Sequence, residues 1–123
     1  RQLLEVLLQF LDNHFVTQHT KTVDYFQFAY SDFNLRNRIA TELELRDLNR
    51  WRAAVLTPKG TFKDLLTISC ESPAMIVYLD TLGSRGDGSN IPNENYAREL
   101  LELFTFGVDN GYDQTDITLM SRP

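Results

Sequence analysis

Residues 93–107 read NENYARELLELFTFG. At about 100° per residue, Tyr96, Ala97, Leu100, Leu103 and Phe104 fall in one arc of a helix running from about Asn93 to Phe106. Glu94, Arg98 and Glu102 line the opposite side, each four residues from the next, as in a solvent-exposed ion-pair ladder. Gly107 then suits a left-handed C-cap. Asn93 and Asn95 flank the start, where a side-chain oxygen caps free amides and a side-chain amide reaches a neighbouring loop. Glu99 stands apart, about 40° from Leu103 and about 20° from Phe106, at the edge of the apolar arc. A carboxylate there either reaches out to solvent or meets a partner, because burying it unpaired is costly.

Outward from this segment the helical period recurs. Leu3, Leu4, Leu7, Leu8, Leu11 and Phe15 share one face of a first helix over residues 3–15. Residues 20–40 are rich in aromatics without strand alternation, and fit a short helix or an ordered loop equally. Leu45, Leu48, Trp51 and Val55 give a helix from Thr41 to about Leu56, ended by TPKG. Another runs from about Thr61 to Glu71. Ser72 as N-cap with Pro73 in the first helical position opens the next. TLGSRGDGSN is a polar, glycine-rich loop, and Asp113 with Asp116 reads as a variant capping box for a last helix. No hairpin signal or internal repeat occurs. The expected class is all-α: a compact domain of about five or six short helices. It is read as a single partial domain over residues 1–123, both ends of which look cut from a longer protein.

Composition narrows the function classes. The chain has 123 residues, a hydrophobic share of 42% and a charged share of 24%, which suit a globular protein rather than a disordered one. Its apolar runs are too short to span a bilayer. A net charge of −5, with basic residues scattered among acidic ones, lacks the footprint a nucleic-acid partner requires. The one cysteine, Cys70, permits no intrachain disulfide; beside Glu71 it reads as a small buried hydrophobe near a helix end rather than a nucleophile.

His14 falls about 20° from Leu7, inside the apolar face of the first helix. A buried carboxylate would satisfy it, and Glu99 is the candidate, so His14 and Glu99 are the candidate acid/base pair. Asn93, Glu94, Asn95 and Arg98 are the candidate binding residues. His14 and His19 are five apart and on different faces, unlike a zinc-binding pair, and no Glu-x-x-His spacing of a bundle metal site occurs. Asp80, Asp87, Asn90 and Glu94 form a conceivable hard-cation set, and DNGYDQTD lacks a calcium loop's ligand ladder. No metal or cofactor is expected. The glycine-rich loop also lacks the Lys-Ser/Thr of a phosphate loop.

The string NENYARELLELFTFGVDNGYDQTDI resembles the hallmark segment of the bacterial domain-of-unknown-function family 1800. SPAMIVYLD upstream is similar to that family's Pro-Ala-Met-Leu-x-Tyr-Leu-Asp stretch. FLDNHFVTQ resembles its Asn-His-Phe segment, with His14 on the family's histidine. The resemblance implies a large, mostly helical bacterial protein, often exported to the periplasm or outside the cell and frequently encoded beside a sulfatase-like protein. It implies no established activity. The family's Trp-Thr-Gly-Trp-like continuation lies beyond this chain.

Three functional readings follow. A helical scaffold or partner-binding module fits the acidic composition and the lack of a complete catalytic set; its partners would be a sulfatase-like extracellular protein and the remainder of its own longer chain. A hydrolase would use Glu99 or Glu94 with His14, with or without a cation, although no serine lies in a Gly-x-Ser-x-Gly context. A structural fragment would use the polar signature only to hold helices in register.

Overall fold

The structure, a computed structural model, describes residues 1–84 and 92–122. The part of the glycine-rich loop that follows Ser84, with Asp87 and Asn90 of the conceivable cation set, lies outside the described residues. Among the described residues every regular element is helical, and the class is all-α. Where the sequence suggests one domain, the chain groups into two compact units, Arg1–Tyr78 and Leu79–Pro123.

The first unit contains α1 (Gln2–His14), α2 (His19–Tyr25) with a following 3₁₀ turn (Phe26–Phe28), α3 (Phe33–Leu56), α4 (Phe62–Cys70) and α5 (Pro73–Tyr78). The aromatic stretch left open in the sequence thus forms α2, the 3₁₀ turn and the opening turns of α3. That helix starts well before Thr41, because the Asp32 carboxylate accepts from the Asn34 amide at 2.9 Å and caps it. Its buried face is Ala40, Asp47 and Trp51, while Leu45 lies at the surface. The helix is a spine against which α1, α2, α4 and α5 all pack.

Gly60 permits the turn after α3: its amide donates to the Thr57 carbonyl at 2.9 Å, and a Cβ there would run into the Ala54 carbonyl oxygen. A reciprocal capping box then fixes the start of α4: the Thr61 hydroxyl accepts from the Asp64 amide, and the Asp64 carboxylate accepts from the Thr61 amide. Ser72 caps α5 as its sequence suggests, its Oγ accepting from the Met75 amide at 3.2 Å. Cys70 is the last residue of α4 and is half-buried rather than buried.

The core of this unit is built around Phe15, stacked against Trp51 at 5.6 Å and Phe62 at 6.2 Å between ring centroids. Leu8 and Leu11 join it from α1, and burying each such side chain contributes about 1.5–3 kcal/mol. The expected apolar face of α1 is wider than its buried face. Leu3 is 80% exposed, and Val6, Leu7 and Phe10 are exposed with it.

The second unit contains α6 (Asn95–Glu99), a π-helical segment (Leu100–Thr105) continuous with it, and α7 (Gln114–Met120). Asp113 and Asp116 form the expected capping box on α7. Ala97, Leu101 and Ile117 make a small buried cluster with Tyr112 packed against it.

Candidate functional site

The signature segment is not one regular α-helix. From Leu100 it widens, and the Phe106 amide donates to the Leu101 carbonyl five residues back, at 2.9 Å. The Thr105 hydroxyl holds the wide turn by donating to the Leu100 carbonyl at 2.7 Å. Gly107, at φ +91°, closes it with a bond from its own amide to Leu101 at 3.1 Å. Angles computed at the α-helical pitch fail beyond Leu100 for this reason. Leu101 is buried in place of Leu103, which is 56% exposed, and Phe106 is exposed as well. The arc whose edge Glu99 was expected to occupy therefore faces solvent around Leu103 and Phe106. Glu99 itself is half-buried.

Asn93 and Asn95 are used by the backbone. The Asn93 Oδ1 accepts from the Asn95 amide at 2.9 Å and turns the chain into α6. Its Nδ2 donates to the carbonyls of Leu79 at 3.2 Å and Asp80 at 3.0 Å, and Asn95 Nδ2 reaches Leu79 at 3.4 Å. Asp80 has a left-handed backbone, at φ 56°, so the two amides clasp a tight turn against the helix start. The expected amide-to-loop contact is realised here, within the second unit.

Glu94, Arg98 and Glu102 form the expected ladder, with both ion pairs at 3.5 Å. It is more than a solvated face. Glu94 also accepts from the Thr118 hydroxyl at 2.8 Å and the Gln114 amide at 2.7 Å, and Arg98 donates to Gln114 Oε1 at 2.9 Å. These bonds join α6 to α7. The Thr118 hydroxyl first, then the Gln114 amide, hold the Glu94 carboxyl below its ordinary range.

His14 lies in the first unit, at the end of α1. Its ring stacks on Phe10 at 5.7 Å, meets Phe15 edge-on at 4.7 Å and lies 6.3 Å from Phe62. The pair anticipated from the sequence would link this residue to Glu99 of the second unit.

Two polar constellations escape a reading by spacing alone. His19 Nδ1 contacts the Glu44 carboxylate at 2.9 Å, and its Nε2 contacts Asn37 Oδ1 at 2.8 Å. With an acceptor at each nitrogen, the doubly protonated ring is favoured: the Asn37 contact, then the Glu44 contact, raise the imidazole above its usual value. One turn further along α3, Asp47 is 5% exposed and accepts from the Ser72 hydroxyl. Burial pushes its carboxyl up, against the opposing pull of Ser72. A faint signal exists: Ala40, Asp47 and Trp51 recur at seven and four residues, which puts an aspartate on the core stripe of α3.

Among the described residues, no three His, Cys, Asp or Glu side chains gather as metal ligands would. No helix among them is long and apolar enough to cross a membrane. What the fold and its polar clusters define is an all-α protein whose signature residues knit helix ends together. A family model described as "Protein of unknown function (DUF1800)" matches residues 1–122, and the chain belongs to that family. No curated protein and no solved structure matches the chain.

Proposed function

We propose that this chain is a helical scaffold that binds a partner protein through the outer face of α1. One observation carries the reading: Leu3, Val6, Leu7 and Phe10 recur at helical spacing as a single exposed apolar stripe beside the buried Leu8 and Leu11. A contiguous apolar stripe on the surface costs solubility and is the usual mark of a protein contact. The signature residues Asn93, Glu94, Asn95 and Arg98 are meanwhile engaged in contacts that build the second unit. The partner that family resemblance suggests is a sulfatase-like extracellular protein, the kind frequently encoded as a neighbour of family members.

The test is calorimetric titration of that neighbour with the wild-type chain and with the double variant Leu3→Ser/Val6→Ser, whose helix content is checked by circular dichroism. Both positions are solvent-exposed, so the variant is expected to fold normally and to bind at least about ten-fold more weakly, about 1.4 kcal/mol. Equal affinity of the two chains, or no binding by either, would contradict the proposal.

A second reading, a hydrolase using Glu99 or Glu94 with His14, is favoured by one fact. Glu99 is half-buried where α6 runs into the π-helical segment, and a carboxylate partly shielded from water suits acid/base work. Measuring the titration of His14 by NMR in the wild type and in Glu99→Gln separates the two readings. A His14 pKa that drops in the variant favours the hydrolase, and an unchanged one favours the scaffold. The remaining reading, a fragment that only holds helices in register, would leave the neighbour unbound and the His14 titration unchanged.

A further inference from the structure

Inside the first unit, Asp12, Phe15, Thr17, Glu44, Asp47 and Trp51 line part of a small cavity of mixed polarity, and Ser69 of α4, the α5 cap Ser72 and Met75 of α5 close it. Its free volume is about 10 Å³, the size that accommodates one water molecule. Three polar atoms buried among these residues have no hydrogen-bond partner among the described residues: Asp47 Oδ1, Trp51 Nε1 and Ser69 Oγ. Each orphaned group of this kind costs about 1–3 kcal/mol. Three of them lining one cavity are unlike the background of a folded protein, where buried polar atoms are nearly all paired.

We infer that this cavity is a binding site for a single structural water molecule, held by Asp47, Trp51 and Ser69. The chemistry of the three groups is complementary to water and to little else of that size. Trp51 Nε1–H can only donate, so it needs the oxygen of the bound species. Asp47 Oδ1 can only accept while ionised, so it needs one of the protons. Ser69 Oγ can do either and takes whichever role remains. A bare cation would satisfy Asp47 and Ser69 but would face the indole N–H, a donor, across the same space. Asp47 Oδ2 is already occupied by the Ser72 hydroxyl, so the water completes the carboxylate. The site thereby joins α3 to α4 and α5 at the point where the spine helix carries its one buried charge.

The single tryptophan makes the test direct, because its indole proton reports on the cavity in the wild-type chain. Water-selective NOE and ROE spectra of ¹⁵N-labelled protein are recorded at the Trp51 Hε1 resonance. A bound water gives NOE and ROE cross-peaks of opposite sign, which is the result expected; same-sign peaks from solvent exchange, or no peak, would overturn the inference. In Ser69→Ala the water loses one anchor, and the cross-peak should fall at least two-fold while the Trp51 resonance stays dispersed. An undiminished peak in that variant would remove Ser69 from the site and overturn the three-point arrangement.

Discussion

Asp47 is held where its charge is unfavourable: it is buried on α3, with only the Ser72 hydroxyl donating to it among the described residues. Its raised folded-state pKa means that the folded protein binds this proton more tightly than the unfolded chain. Stability from this group therefore falls as pH rises from the usual aspartate value of about 3.9 through the raised value, and the penalty is fully present above it. Urea titrations across that window should show the negative slope in the wild type and its loss in Asp47→Asn; an unchanged slope would exclude Asp47 as its source. His19 slopes the same way in a higher pH window, although here the charged form is the stabilised one. Its raised pKa gives stability that is present below the usual value of about 6.5 and lost as pH rises through the folded value. Glu44→Gln should lower the His19 pKa, read from its ring nitrogen shifts, and an unmoved pKa would show that the carboxylate does not act on it. Asp47 is inconspicuous in the sequence, because a polar residue on a core stripe looks like a break in the pattern until its partner is seen. Ser72 was legible as a cap, whereas its second bond, to Asp47, comes from packing.

Helix starts were the most legible elements, because a cap is a local signal: Ser72 and Asp113 act where their spacing places them. The start of α3 at Asp32 lay hidden among aromatics that obscure any period. The π-helical segment was not legible at all, since a turn closed through the Thr105 hydroxyl onto Leu100 has no distinct hydrophobic spacing. Its closing residue, Gly107, is nevertheless required on physical grounds. Gly107→Ala puts a Cβ at φ +91° and should cost about 1–2 kcal/mol in thermal or urea unfolding; no loss would show that the segment ends some other way. At the junction of α6 and α7, Glu94 collects bonds from Thr118, Gln114 and Arg98. Glu94→Ala should speed amide hydrogen exchange across α7. In the wild type the stabilisation is present above the ordinary glutamate range and should fade as pH drops through the lowered folded value. Exchange rates in α7 that ignore both changes would mean that the helix is held by Ile117 and its apolar neighbours alone.

At the scale of the whole chain, the helical class and the family were readable from period and from one long specific string, and both stand. The division into two compact units was not drawn from the sequence, although the glycine-rich loop TLGSRGDGSN begins at Thr81, just past the boundary. The surface proposed for partner binding differs from the residues the sequence singles out, for a physical reason. Polar residues in a long specific string attract attention, yet here they are engaged by the turn at Leu79 and by α7, while the exposed face of α1 reads as ordinary core until burial is known. The most direct check is a hydrogen–deuterium exchange footprint of the chain mixed with the proposed partner, a sulfatase-like protein. Protection gained across α1, with the Asn93–Gly107 segment unchanged, is the result expected of a scaffold that docks through Leu3, Val6 and Phe10. Protection gained in the Asn93–Gly107 segment, with α1 unchanged, would contradict it and return the signature helix to the centre of the function.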